Sequence, residues 1–363
     1  MINSRRPRVL WLTNLPAPYR FPIWARMAES IDIKVAFLMG EDNWRNWKVP
    51  EGQTWCHEYL SLKSINVKEY DLIPSIRGVN KLLQNVDALV LGGWETPFYI
   101  RAMLIAKKQN IRVIHFYEST AESQRVKNVL IRKIRSAIIS KADYIVTIGP
   151  ASTNAVEAMG IASEKIVTLF NPVDVSWFYS FARDHRTPVT SGHHYIYAGQ
   201  LIERKNVATI LHSFADIRND ADTLTIAGDG PLANNLKNLA ASLGIAESVI
   251  FAGHRNQEEL AKLYAASNTF ILASTNEVWG LVVNEALASG LHVVVSNKCG
   301  VAEFVQNMGA AFICGTDQKS LQEAMHASSS KWNGHIHNPE ILKFTPERFA
   351  ESIIGIIDGL RIP

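Results

Sequence analysis

Short β-branched runs alternate with amphipathic stretches along most of the chain, the pattern of parallel sheets covered by helices. In the first half, strands are expected at Arg8–Thr13, Ile33–Leu38, Ala88–Leu91, Arg112–Phe116, Tyr144–Ile148 and Ile166–Leu169, with helices over Thr96–Gln109 and Gln124–Ser140. The rhythm breaks over Gly40–Ser64, a polar stretch carrying Trp44, Trp47 and Trp55, which reads as a long loop or hairpin rather than a βα unit. It lapses again over Asn171–Gly192, through Pro172 and Pro188, and a domain boundary is expected there. Strands resume at Tyr195–Tyr197, Leu224–Ala227, Val249–Ala252, Phe270–Leu272, Val293–Val295 and Ala311–Ile313. Helices over Asn206–Ile217, Leu232–Ser242, Gln257–Ala266 and Leu281–Ser289 fit between them, and an amphipathic segment, Pro346–Leu360, closes the chain. The fold class is therefore α/β: two doubly wound, Rossmann-like parallel-sheet domains, 1–185 and 186–345, facing each other across a cleft. Residues 346–363 are expected to pack back towards the first domain as a helix.

A length of 363 residues suits two domains. Hydrophobic residues at 47% and charged residues at 20% describe a soluble globular chain, and no apolar run is long enough to predict a membrane span. The basic start, Met1–Pro7, precedes an apolar run, Val9–Leu12, too brief for a signal-peptide core. Three cysteines, Cys56, Cys299 and Cys314, lack C-x-x-C spacing; this argues against a disulfide framework or a zinc site and suits a cytoplasmic location. The net charge of +3 is too small to imply nucleic acid. One run is more pointed: Arg125, Lys127, Arg132, Lys133, Arg135 and Lys141, with no acidic residue among them. Val126, Leu130, Ile134 and Ile138 recur there at helical spacing, so the apolar stripe should face a core and the basic face should point outward. That basic face is either simply solvated or in peripheral contact with an anionic membrane surface or a phosphorylated glycan carrier.

The candidate chemistry lies in the second half. Glu277 follows an expected strand, and Gly280 after it permits a close approach of backbone or ligand. Gly280, Leu281 and Val282 would present free amides at a helix start, an anion site, and Glu285 lies further into that helix. Two carboxylates beside a phosphate site make sense if the ligand also carries hydroxyls, since each accepts two hydrogen bonds. Gly199-Gln200-Leu201-Ile202-Glu203-Arg204-Lys205 also follows a strand, and Lys205 is placed to offer a point charge to a diphosphate. Gly228-Asp229-Gly230-Pro231 is a strand-ending turn with proline at a first helical position. The only D-x-D, Asp220-Ala221-Asp222, precedes a strand and reads as a turn, so no metal is expected.

Together these segments resemble the GT-B-fold glycosyltransferases, specifically the large retaining family 4 (glycosyl transferases group 1). The family's G-R-L-x-x-x-K loop, G-D-G-P turn and E-x7-E motif have counterparts in Gly199–Lys205, Gly228–Pro231 and Glu277/Glu285, in the same order, and Ser296–Glu303 is similar to its S-x-x-x-G-x-x-E segment. The likeness is strong over about 195–305 and looser earlier, at Asn14–Arg20 and Phe170–Asp174. It implies a nucleoside-diphosphate-sugar donor as substrate, no separate cofactor, and transfer to a hydroxyl with retention of anomeric configuration. Glu277 then resembles the glutamate that touches the transferred sugar, Glu285 the one that binds the ribose, and Lys205 the diphosphate lysine. The amides of Gly280 to Val282 resemble the rest of the phosphate cradle, and His254, after Gly253, falls where the family's backbone meets the base. Gln200 replaces the usual phosphate-binding arginine, leaving Lys205, helped by Arg204, more charge to neutralise. His292 replaces a proline, a packing change. Where many relatives place a histidine next to the reacting sugar, this chain has Glu118 by preference, with His115 as the alternative. The acceptor (a glycan, a lipid-linked glycan or a small-molecule metabolite) is assigned to Asn14, Tyr19, Arg20, Trp94 and His115, Trp94 being able to stack on a sugar face. A polysaccharide or metabolite pathway suits this reading. The rival readings are a catalytically silent sugar-nucleotide binder and another GT-B enzyme, an epimerase or a phosphorylase. A dinucleotide oxidoreductase is the least favoured reading, since no G-x-G-x-x-G follows any strand.

Overall fold

The computed structural model describes residues 5–39, 47–67, 70–120, 129–186 and 191–359. It divides into two compact units, Met1–Phe170 with Pro346–Pro363, and Asn171–Thr345.

Unit 1 holds β1 (Arg8–Thr13), β2 (Asp32–Phe37), β3 (Cys56–Tyr59), β4 (Ile65–Val67), β5 (Tyr70–Leu72), β6 (Ala88–Leu91), β7 (Arg112–Tyr117), β8 (Tyr144–Ile148) and β9 (Ile166–Leu169). Seven of these form one parallel sheet in the order β3-β2-β1-β6-β7-β8-β9, while β4 and β5 pair as a separate antiparallel hairpin. Its helices are α1 (Phe21–Ala28), α2 (Val79–Leu82), α3 (Pro97–Lys108), α4 (Val129–Ile139) and α5 (Gly149–Glu157). The central strands are buried on both faces, which is why Val9–Leu12 and Ala88–Leu91 read as continuous apolar runs.

Unit 2 holds β10 (His194–Ala198), β11 (Thr223–Ala227), β12 (Val249–Gly253), β13 (Thr269–Leu272), β14 (His292–Ser296) and β15 (Ala311–Cys314), all parallel, in the order β12-β11-β10-β13-β14-β15. Its helices are α6 (Val175–His185), α7 (Val207–Ile217), α8 (Ala233–Ser242), α9 (Gln257–Ala265), α10 (Leu281–Ala288), α11 (Ala302–Val305) and α12 (Gln318–Ser330). The last helix of the chain, α13 (Pro346–Asp358), belongs to unit 1. Phe349 on it packs on Phe116 (5.8 Å) and Phe170 (5.9 Å), and Arg112 donates to the carbonyl of Ile357 at its end. In each sheet the strand order reverses once, between β1 and β6 and between β10 and β13, and such reversals are where open α/β sheets bind ligands.

Four expectations are corrected. The polar stretch read as a loop contains β3, paired in parallel to β2; its mostly exposed edge pattern, Cys56-His57-Glu58-Tyr59, lacks the apolar run of an inner strand. Trp55 beside it is buried against Trp24 (4.9 Å) and Phe21 (5.8 Å), whereas Trp44 lies outside the described residues. The units divide after Phe170, not after residue 185. The supposed linker holds α6, capped by Asp174, whose Oδ1 accepts from the Trp177 amide at 2.9 Å; α6 buries Val175, Phe178 and Ala182 in unit 2, with Phe178 against Tyr264. The fourth correction concerns α4. Gln124 to Lys127, with Val126 of the expected stripe, lie outside the described residues; of the rest of that stripe Ile138 packs inward as expected, but Leu130 (66% exposed) and Ile134 (47%) point out. The inward set is Arg135 and Ile139, with Ile138 packed on the core. Ile131, Ile138 and Ile139 form an equally good helical stripe with a cation in its middle, and periodicity alone does not choose between the two faces.

Candidate functional site

At the strand-order reversal of unit 2, the loop after β10 meets the loop after β13. The Lys205 ammonium and the Arg204 guanidinium both bind Oε2 of Glu277, Arg204 Nη1 at 2.9 Å. Arg204 Nη1 also donates to the carbonyl of Asn276 (3.2 Å), and the Thr275 amide donates to the carbonyl of Arg204 (2.8 Å), so the two loops are joined by backbone as well as by charge. Lys205 is buried, Glu277 is nearly so, and Arg204 is exposed. The cluster is thus a carboxylate sharing two cations at the C-terminal edge of a parallel sheet, with one cation open to an incoming anion.

The neighbouring loops end at the same edge. The Gly199 amide donates to Ala227 O (2.9 Å), the Gly228 amide to Gly253 O (2.8 Å) and the Leu201 amide to Asp229 O (2.8 Å). These bonds hold the turns after β10, β11 and β12 side by side. Gly228 makes this possible, because a Cβ there would collide with the carbonyl oxygen of Gly199. Gln200 is exposed, its carbonyl accepting from the Tyr197 hydroxyl (2.8 Å), and His254 is exposed at the end of β12. Gly280, with φ 102°, precedes α10; a Cβ would approach Leu272 Cδ2 to 2.7 Å. The Leu281 and Val282 amides that follow start the helix without intrahelical acceptors.

Glu285 lies on α10, where its side chain meets Tyr264 of α9. Solvent reaches part of it, yet protein surrounds it on most sides, and this burial raises its carboxyl to about 7. The hydroxyl of Tyr264, 3.3 Å from Oε2, opposes that shift. Tyr264 was not foreseen as a neighbour of Glu285; it sits on α9 at a core spacing that gives no chemical signal in sequence. His292 is buried between Phe312 (5.2 Å) and Trp332 (5.0 Å), with Nδ1 3.0 Å from Ser328 O.

In unit 1, the loops after β1 and β6 flank the other reversal. Asn14 Oδ1 accepts from the hydroxyl of Tyr99 (2.7 Å). Arg20 is buried over Phe116 (5.0 Å), Tyr19 (5.6 Å) and Trp11 (5.8 Å), and its guanidinium binds Glu118, just past β7. Burial opposes its charge, but Glu118 and Tyr19 outweigh burial and raise its pKa. Glu118 is therefore engaged by Arg20. His115, on β7, is fully buried; burial lowers its pKa to about 4, so it is neutral at physiological pH. Trp94 carries the guanidinium of Arg135 over its ring at 4.7 Å. Among the described residues no group of three or more His, Cys, Asp and Glu side chains is arranged to hold a metal ion, and no helix is long and apolar enough to cross a membrane.

Residues 184–332 match the family model of glycosyl transferases group 1. The chain is similar to an alpha-monoglucosyldiacylglycerol synthase of Streptococcus pneumoniae, 34% identical over 154 residues, which is 41% of this chain and 35% of that protein. It is also similar to a glycogen synthase of Mycobacterium tuberculosis, 27% identical over 211 residues, 56% of this chain and 50% of that protein. These matches span about a third to a half of the curated relatives' length. Among solved structures, HepE of Anabaena in complex with UDP and glucose superposes with a TM-score of 0.74 over 98% of this chain and 100% of that one, at 15% identity. Sucrose-phosphate synthase of Thermosynechococcus elongatus does so with a TM-score of 0.73 over 98% and 99%, at 16% identity. The fold is thus that of the GT-B proteins, and the glycine-hinged loops, the Lys205–Glu277 pair and α10 all lie in the segment that matches the family model of glycosyl transferases group 1.

Proposed function

We propose that the protein is a nucleotide-sugar-dependent glycosyltransferase that moves a sugar from a nucleoside-diphosphate-sugar to an acceptor hydroxyl, with retention and without a metal. The observation that carries this reading is the Arg204–Lys205–Glu277 cluster at the strand-order reversal of unit 2. Sugar transfer requires stabilisation of a diphosphate that gains charge as it leaves. Lys205, Arg204 and the first amides of α10 supply fixed positive charge for it. Glu277 holds the cations while the site is free and turns to hydroxyls of the transferred sugar when the diphosphate takes its place. Glu285 accepts from the ribose hydroxyls. The acceptor's proton passes to a leaving phosphate oxygen on the same sugar face, as the family resemblance implies. The UDP and glucose of the HepE structure support a nucleotide sugar as donor.

The acceptor is assigned to unit 1, at Asn14, Tyr19, Arg20, Trp94 and His115, with Glu118 as the counterpart of the family's histidine. A cytoplasmic protein held peripherally at the inner face of a membrane suits the exposed Arg132, Lys133 and Ile134 of α4.

Lys205→Ala tests the central assignment. Removal of a charge-assisted contact made by the leaving group should lower turnover by about 2–3 kcal/mol of barrier, roughly 30- to 150-fold. Steady-state kinetics matching wild type would remove Lys205 from the reaction. Failure of the wild type to release a nucleoside diphosphate from any donor and acceptor pair, while still binding the nucleotide, would favour the silent binder. An NMR product spectrum showing inverted anomeric configuration would end the retaining assignment.

A further inference from the structure

Unit 1 contains a buried cation that no described residue neutralises. Arg135, on the inward face of α4, is 4% exposed, and its Nε and Nη1 are buried without an acceptor. The other buried arginine of this unit, Arg20, shows the ordinary solution, a carboxylate. Arg135 has only the face of Trp94, 4.7 Å away. A cation–π contact returns much less than the burial of an unpaired charge costs.

Its surroundings share the deficit. Thr96, in the same loop as Trp94, is 1% exposed with Oγ1 unpartnered. His115, on the strand beside β6, is fully buried, and neither ring nitrogen has a well-formed hydrogen bond, though the backbones of Gly93 and Phe116 both lie close. Buried polar atoms in folded proteins are nearly always partnered. Here they gather at the carboxyl ends of β6 and β7, where sheets of this kind take ligands. The carboxylate of Glu95, in the Trp94 loop, is exposed and accepts from the Trp94 amide (2.8 Å), so the sign of the missing partner follows from the charges on α4. Arg132 and Lys133 lie exposed on α4 beside Arg135, and no acidic residue occurs between Val129 and Lys141.

We propose that Arg135, backed by Trp94, receives a phosphate-type oxyanion borne by the acceptor. The planar guanidinium forks onto two of its oxygens, and Arg132 and Lys133 add a field suited to more than one negative charge. The acceptor class is therefore a phosphate ester, either a soluble sugar or polyol phosphate or the headgroup of a phospholipid. This deepens the glycosyltransferase reading and rests on its assignment of the acceptor to unit 1.

The test uses the full chain as wild type, Arg135→Gln and Arg135→Met, each also in a Lys205→Ala background so that probe binding at the unit 2 cations is counted separately. Thermal midpoints are recorded with glycerol 3-phosphate and, as a control, with UDP, GDP or TDP. Sedimentation with vesicles of phosphatidylglycerol in phosphatidylcholine supplies the lipid arm. The expected result is a response of wild type to at least one phosphate probe, weakened about tenfold or more in half-saturating concentration by Arg135→Gln, with the nucleotide response unchanged. Loss of the soluble response assigns a soluble ester, and loss of the vesicle response assigns a lipid headgroup. Without ligand, Arg135→Met should melt at or about 2–4 °C above wild type, because it removes an unpaired buried charge. A lower midpoint for Arg135→Met would make the guanidinium a structural group and overturn the proposal. So would phosphate responses that are absent in wild type or equal in all variants. An Arg135-dependent phosphate response in a protein that ignores every nucleoside diphosphate would leave this site standing and remove the donor reading instead.

Discussion

In the proposed donor site, the enclosed carboxyl of Glu285 would tie nucleotide binding to pH. Burial raises it to about 7 from 4.5, so between those values the folded state holds a proton that the unfolded chain has released. The stability this group contributes is full below about pH 4.5 and is lost as pH rises through 7. Glu285→Gln should therefore melt above wild type at pH 8, with the gap closing near pH 4.5, as differential scanning calorimetry can show. On the proposed role the ionised form is the one that accepts from ribose hydroxyls, so the affinity of wild type for the nucleoside diphosphate should rise from pH 6 to 8, while that of Glu285→Gln stays low and flat. Equal profiles for the two proteins would detach Glu285 from the nucleotide. At this scale the chain itself marks Glu277, Glu285 and Lys205, because their spacing after strand-like runs is local. It does not mark Arg135, whose place among isoleucines looks like one more turn of a basic face.

At the scale of elements, the turns after β10, β11 and β12 act as one edge because their backbones touch. Gly228→Ala places a methyl on the carbonyl oxygen of Gly199 at a backbone φ of 156°, so the turns must part. Nucleotide affinity should fall at least tenfold while the far-UV circular dichroism is retained; unchanged affinity by titration calorimetry would show that the contact between turns is unimportant. Inner strands such as Ala88–Leu91 were predicted to the residue, since burial on both faces leaves an unbroken apolar run. The edge strand β3 was missed because it carries no such run. Helix α6 was missed because Pro172 and the polar stretch after His185 conceal a capped segment whose buried side is only Val175, Phe178 and Ala182.

For the whole molecule, buried histidines should set the response to acid. Burial lowers His115 in unit 1 and His193 and His335 in unit 2 to about 4, with Asp222 opposing this at His193 and the Ser267 backbone opposing it at His335. Each is neutral in the fold where the unfolded chain would be charged, so stability is full above pH 6.5 and falls as pH drops towards 4. The thermal midpoint should decline between pH 7 and 4.5, three such groups outweighing the opposite slope of Glu285; a flat or rising profile would contradict their burial. What the sequence by itself determined is the alternation of strands and helices, hence two parallel α/β sheets, and the loops that carry the candidate chemistry, because hydrophobic period, glycines and motif spacing are properties of neighbouring residues. Only the tertiary structure decided where the strand order reverses, that Lys205 meets Glu277 across 72 positions, that α6 belongs to unit 2, and that α4 turns Arg135 inward and Ile134 out. Those outcomes depend on which distant surfaces share a core, and no local pattern encodes that choice.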